Sequence, residues 1–568
     1  MDNTRNMILA IVLSAAVLFG WSLISEQIAP TATEPSTEFV DGEQVVLPQT
    51  EADPAPDAPA EIRAVADVLA EGNRIPIRTP QLEGSINLAG ARIDDLVLSD
   101  YRETIAEDSP PIRLLSPEDT GGAQFAHFGW AGTDTPDGDT LWQADGDELA
   151  PDSPVTLSWR NDAGQLFEII IEIDENFLFS VAQRVSNTSG EPVSVQSYSL
   201  VQRSGESPDP DSWLIHTGPT GYWGDDLHHI DFDDVRDAGQ AGERFTVSDG
   251  WLGFNDKYWL TALFPVGGSA EAAFMPLSDD RYQAVFTQPA AIVEDGRAAQ
   301  TRTQFFAGAK EVTLLESYEV EQGLAQIDLS VDWGWFYWFE LPIFYVLSWL
   351  FETIGNFGLA IIGLTFIVRL LMFPIAQKQF SSMAGMRAVQ PKMKEVQEKY
   401  KEDRQKMQQE MLALYQREKV NPLAGCLPIF LQIPVFYALY KVLMLSVEMR
   451  HEPFALWLQD LSAPDPLTPV NLFGLLAFQP PQYLAIGILP ILLGITMWLM
   501  FKLNPAQMDP TQQKIFGIMP WIFMIIMAPF AAGLQLYWVT NNILTIAQQK
   551  WLYSRDPRLR EAAKATAE

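Results

Sequence analysis

The sequence predicts a multi-domain membrane protein: a six-helix transmembrane bundle, an all-β external domain and a cytosolic helical hairpin. Three observations carry that prediction. The first is a charge split. Ser25 to Glu340 holds 57 acidic and 16 basic residues, whereas the other 252 residues hold 16 acidic and 21 basic. The second is that the long apolar runs fall almost entirely outside the acidic part, at 7–24, 353–373, 423–447, 483–501, 515–530 and 534–549. The third is the pattern of the acidic part, which is rich in Ile, Val and Phe with partial alternation and shows no strong helical period between 150 and 310.

Residues 1–6 form a short N-terminus. Residues 7–24 are an uninterrupted apolar stretch of 18 residues behind Arg5. Trp21-Ser22-Leu23-Ile24-Ser25 is a poor cleavage site, so the stretch reads as a retained anchor helix and not as a signal peptide. Residues 25–60, rich in Pro, Glu, Asp, Thr and Ala between Pro30 and Pro59, cannot bury enough surface to fold and read as a flexible acidic linker. Residues 61–330 read as the β domain. Gln165–Val185 is its clearest strand-like stretch, and further runs lie at 84–98, 193–203, 257–264, 281–287 and 302–307. A large two-sheet sandwich follows. His228 and His229 sit among Asp225, Asp226, Asp231, Asp233 and Asp234, but no ligand spacing recurs, and a solvated acidic loop is the favoured reading over a metal site.

Trp333, Trp335, Phe336, Tyr337, Trp338 and Phe339 crowd into seven positions. Such rings prefer the headgroup layer, so 331–350 reads as an interfacial amphipathic helix. A longer, tilted span is the alternative. Spans follow at 351–373, 421–447, 483–501, 515–530 and 534–549. They are joined by a cytosolic hairpin (374–420), an external loop (448–482) and a cytosolic loop (502–514), and are closed by a tail (550–568). The segment 374–420 carries ten Lys/Arg, and the tail adds Lys550, Arg555, Arg558, Arg560 and Lys564. The positive-inside rule therefore places the termini and the hairpin in the cytosol and the acidic domain outside. In a bacterium with two membranes that location is the periplasm.

Arg369 lies inside Leu364–Phe373, with Thr365 one turn earlier on the same face. A charge in a span costs at least about 2.5–3.5 kcal/mol unless water or a partner receives it. Snorkelling to the cytosolic headgroups is the bland alternative. In the last span, Trp538, Asn541, Thr545 and Gln548 share one arc, and a polar stripe must face protein or water. Interhelical hydrogen bonding would also explain that stripe. At 1.5 Å per residue, Arg369 lies about 8–12 Å from its cytosolic exit, Asn541 about 12 Å and Gln432 about 15 Å. Together they suggest a wet, positively charged cavity open to the cytosol and closed toward the outside.

Several function classes are excluded. There is no G-x-x-x-x-G-K-[ST] phosphate loop, no His lies within a span, and the lone Cys426 forms no intramolecular disulfide and no Cys-based metal cage. Phosphates would be repelled by the acidic half, so DNA is not a partner. No catalytic site, metal or cofactor is expected, and the chain does not read as an enzyme. In the hairpin, Met383, Met386, Met393, Met407 and Met411 form either adaptable surface for hydrophobic clients or the hairpin's own seam.

With these residues in view, the chain resembles the YidC membrane-protein insertases. The resemblance is carried by Gly363–Pro374 (GLTFIVRLLMFP), Met411–Pro428 (MLALYQREKVNPLAGCLP), Phe454–Leu461 (FALWLQDL), Asp509–Lys514 (DPTQQK), Gly533–Gln549 (GLQLYWVTNNILTIAQQ) and Gly250–Trp259 (GWLGFNDKYW). It implies a five-helix insertase core plus the N-terminal anchor, and a periplasmic β-supersandwich similar in fold to sugar mutarotases. It also implies insertion of nascent membrane proteins into the inner membrane through a hydrophilic inner-leaflet groove, alone or with the Sec translocon. Thr365, Arg369, Gln432 and Asn541 match groove positions of the family. Trp538 stands where other members carry a second tyrosine. Ribosome contact through the cytosolic loops and the short tail, and contact with membrane lipids, complete the expected partners. A small-solute transporter and an assembly scaffold are the rival readings.

Overall fold

The computed structural model describes residues 62–555 except 209–214, 240–241, 279, 419–426, 474, 477–480, 482–484 and 504–509. The expected anchor (7–24), the linker (25–60) and the tail beyond 555 lie outside the described residues, as do the Met383 and Met386 side chains.

Alternation in the sequence becomes two antiparallel sheets. In the strand Gln165–Ile173 every second residue is buried, from Gln165 through Phe167, Ile169 and Ile171 to Ile173. It pairs with Leu178–Asn187, which pairs in turn with Ala298–Ala309. This nine-stranded sheet faces a ten-stranded one whose centre is Gln124–Gly132, Val193–Ser204 and Arg281–Thr287. Between the faces, Phe128 meets Phe305 edge-on at 6.2 Å and Trp130 meets Phe167 at 5.2 Å. Polar groups caught between the sheets are satisfied across the gap. Gln183 Nε2 donates to the Gly129 carbonyl at 2.7 Å, and Ser199 and Thr303 share a hydrogen bond of 2.9 Å. The expected two-sheet β domain is present, with short helices α1 (Val65–Ala70), α2 (Phe232–Asp237) and α3 (Val312–Gln322) beside it.

The C-terminal part is helical: α4 (Tyr337–Ile354), α5 (Phe357–Lys399), α6 (Arg404–Glu418), α7 (Leu427–Leu445), α8 (Ile488–Leu503), α9 (Pro510–Met527) and α10 (Ala532–Arg555). Among the described residues one stretch, Phe357–Gln377, is long and apolar enough to cross a membrane; Gln432–Leu445, Ile488–Lys502 and Gly517–Met527 are shorter apolar helices.

Two boundaries differ from expectation. The helix expected at 331–350 runs from Tyr337 to Ile354. Gly355, at φ +73°, ends α4 in the left-handed region, and Asn356 Oδ1 then caps α5 by accepting from Leu359 N at 2.9 Å. One face of α4, with Ile343, Phe344, Leu347 and Leu350, is buried, while Trp338, Tyr345 and Trp349 are exposed on the other. The second difference is that α5 continues through Pro374 to Lys399, so the expected break at 374 between span and hairpin is absent. A proline removes only one backbone donor, and a long helix on both sides holds the turn. The break expected near Lys401-Glu402-Asp403 is found. In the hairpin, Val389, Met393 and Leu414 form a buried cluster with Met411 packed on it, so these two methionines belong to its seam.

Gly358 lets α5 approach the following loop closely, since a Cβ there would lie 2.0 Å from the Phe454 ring. Asp465 fixes that loop by accepting from Trp457 Nε1 (2.9 Å) and Leu489 N (2.7 Å). Gln535, fully buried, donates to the carbonyls of Met527 (2.9 Å) and Phe530 (2.8 Å), closing the turn between α9 and α10. The β domain is tied to the helices through Val312 N to Glu448 Oε1 (2.9 Å) and Arg450 Nη1 to the Arg102 carbonyl (2.6 Å).

Candidate functional site: a buried guanidinium between two helices

Arg369 of α5 points at α10. Its Nε donates to Asn541 Oδ1 at 2.8 Å and its Nη2 to the Asn541 carbonyl at 3.2 Å; Nη2 also bonds Thr545 Oγ1. Thr545 Oγ1 donates in turn to the Asn541 carbonyl at 2.6 Å. Among the described residues no carboxylate pairs with Arg369. A cation is therefore held between apolar helices by neutral oxygens alone. Phe366, Leu370 and Leu371, its neighbours on α5, are exposed, so the cluster opens sideways onto an apolar surface.

The other expected residues divide. Gln432 of α7 bonds the Tyr537 hydroxyl, which links a third helix to α10 one turn above Asn541. Trp538 turns away from Arg369. Its ring stacks on Phe523 at 4.6 Å and meets Phe436 edge-on at 5.2 Å, with its Nε1 buried and unpartnered. Gln548 Nε2 is likewise buried without a partner. Thr365 is fully buried, and its hydroxyl is spent on the Ile361 carbonyl of its own helix at 2.7 Å. It does not join the Arg369 cluster: where Thr545 makes the same bond to the carbonyl four residues back and still accepts from Arg369, the Thr365 hydroxyl has only its own helix as described partner.

Sequence reasoning missed Tyr537, Asn542 and Thr496. Tyr537 precedes Asn541 by four residues, a spacing that could have flagged it. Asn542 Nδ2 donates to Thr496 Oγ1 at 3.1 Å, joining α10 to α8 on the opposite face. A cavity of about 880 Å³ lies elsewhere, between residues 100–107 and 447–459. Among the described residues no group of three His, Cys, Asp or Glu is placed to hold a metal.

Comparison with known proteins decides the family. The 60Kd inner membrane protein family matches residues 349–558, and the YidC periplasmic domain family matches residues 74–346. The chain belongs to the YidC family of membrane protein insertases. The YidC insertase of Zymomonas mobilis is 47% identical over 97% of this chain and 95% of its own length. That of Methylorubrum extorquens is 42% identical over 98% and 96%. A crystal structure of an active YidC insertase with its first transmembrane domain resolved matches at 19% identity and a TM-score of 0.37, over 86% of this chain and 93% of that one. A galactose mutarotase related enzyme from Lactobacillus acidophilus matches 41% of this chain and 97% of its own at 9% identity, with a TM-score of 0.29. YidC relatives are membrane protein insertases, which is a non-enzymatic activity, and the family implies an inner-membrane location with a periplasmic β domain.

Proposed function

We propose that this YidC-family chain inserts nascent membrane proteins through a hydrophilic, positively charged groove open to the inner leaflet and the cytosol. It does so alone or beside the Sec translocon. The observation that carries the reading is Arg369, a guanidinium in an apolar helix whose partners among the described residues are Asn541 and Thr545 and no carboxylate.

An acidic segment of a client's external portion would exchange these neutral partners for a charge-assisted pair. The groove, lined by Gln432, Asn541, Thr545 and Gln548 near Arg369, with Trp538 packed against Phe523 and Phe436 behind it, keeps that segment partly hydrated. The client's apolar helix then partitions sideways into lipid across the exposed Phe366, Leu370 and Leu371, which supplies the driving force. Thr365 acts here as a small buried residue behind the arginine. Six spans, the first at 7–24, would put both termini and the basic hairpin in the cytosol, where ribosome and anionic headgroups are within reach.

The test is reconstitution of the full chain in liposomes with a short single-span client bearing an acidic external segment. Arg369→Ala is expected to lower insertion tenfold or more, roughly the worth of one charge-assisted hydrogen bond, while Arg369→Lys keeps most of it. Equal insertion by Arg369→Ala and the parent would refute the reading.

A further inference from the structure

One buried ionisable group has no part in the groove. Glu340, in the first turn of α4, is fully buried, and neither of its carboxylate oxygens has a hydrogen-bond partner. A buried polar group of this kind needs a reason. Three groups act on it among the described residues: Lys441 of α7 attracts it, Asp332 of the connecting segment repels it, and the Tyr437 hydroxyl of α7 lies within electrostatic reach.

Those neighbours are themselves anchored. Lys441, only 2% exposed, donates through Nζ to the Asp332 carbonyl at 2.7 Å. Asp332 Oδ2 accepts from the His216 backbone at 3.3 Å, and Lys310 Nζ donates to the Ser330 carbonyl at 3.1 Å and to Asn255 Oδ1 at 2.8 Å. The segment 330–332 is thus tied to the β domain on one side and to α7 on the other. Glu340 follows at once, on the helix that this segment leads into. Two residues on, Pro342 removes a backbone bond from the first turns of α4, so this end of the helix is the easier one to open.

We propose that Glu340 is a proton-sensitive fastening of α4 onto α7, tuned by the charges of Lys441 and Asp332. The fastening is tight when Glu340 is protonated and loosens when it ionises, so the pH of the aqueous phase beside the β domain sets how firmly the aromatic helix packs on the bundle. The physical basis is that a dry carboxylate is costly unless it is paired, and among the described residues neither Glu340 oxygen accepts a hydrogen bond. Burial pushes the Glu340 carboxyl up to about 7, against the pull of Lys441 and with Asp332 adding to the rise. A raised carboxyl holds its proton better when α4 is docked than when it is free. Docking is therefore strongest at low pH, weakens above the ordinary carboxylate range and loses this contribution as pH rises through about 7.

The experiment is hydrogen exchange of the α4 amides at 343–350, in the full chain in nanodiscs, between pH 5.5 and 8.5 after correction for intrinsic exchange. Opening is expected to rise about tenfold across that range. Glu340→Gln should stay flat at the low-pH value. Lys441→Met should move the transition to higher pH and Asp332→Asn to lower pH. Lys441→Arg, which keeps the charge, serves if Lys441→Met does not fold, and should leave the midpoint unchanged. The same profile in Glu340→Gln as in the parent, or Lys441 and Asp332 variants that do not shift it in opposite directions, overturns the proposal.

Discussion

The β domain and the helical bundle treat a buried arginine in opposite ways. In the β domain Arg203, nearly inaccessible, meets the Asp256 carboxylate at 3.0 Å, and Arg74 meets Asp94. Burial alone would push the Asp256 carboxyl up, but Arg203 beside it wins and holds it below the usual carboxylate range. In the bundle Arg369 has, among the described residues, only Asn541 and Thr545. The domain spends its charges on its own structure. The bundle keeps a charge that nothing in its described residues neutralises, and that is what a site awaiting an anionic segment requires.

The sharpest way to break this contrast is to delete each arginine. Arg203→Ala leaves Asp256 dry and unpaired and should destabilise the β domain by about 3–5 kcal/mol, read from its melting within the full chain. Arg369→Leu strands no opposite charge. Its stability change should stay within roughly 1–2 kcal/mol, the worth of the hydrogen bonds lost, while insertion falls at least tenfold. A large stability loss in Arg369→Leu would mean that the bundle uses its cation structurally after all.

A smaller effect should come with acid. Burial holds the His127 imidazole down to about 3, beside Tyr198 at 3.2 Å. The unfolded chain takes up a proton below about 6.5 that the folded domain refuses. Stability should therefore fall as pH drops below 6.5, by at most about 1.4 kcal/mol per unit, and His127→Asn should flatten that slope. Smaller again, Tyr537→Phe removes the Gln432 bond and should cost about 1 kcal/mol of bundle stability, with no further cost when combined with Gln432→Leu. Least of all, Arg184→Ala breaks a cross-strand pair with Glu168 at 3.7 Å, nearly half exposed, and should stay within about 0.5 kcal/mol.

Much of this was legible in the sequence. Alternation at 165–185 marks β structure, although that it folds as two strands in register, Glu168 opposite Arg184, comes from the structure. The charge split separates the β domain from the helices. The stripe on the last helix singles out Asn541 and Thr545, and the rarity of an arginine in an apolar run singles out Arg369. Legibility ended where helical period alone had to name partners. Thr365 shares a face with Arg369, yet its hydroxyl is satisfied within its own turn. Trp538 shares an arc with Asn541, but a large ring finds Phe523 and Phe436 on neighbouring helices. Tyr537 passed for an ordinary aromatic because nothing local shows that Gln432 waits 105 residues away.

By itself, then, the sequence determined the division into a β part and a helical part, the apolar runs and where an expensive charge would sit, since these follow from composition and short-range spacing. Only the tertiary structure decided that Arg369 meets Asn541 across 172 residues and that Glu340 is shut in beside Lys441. A period fixes the direction a side chain takes from its own helix axis, whereas its partner is chosen by how distant helices pack.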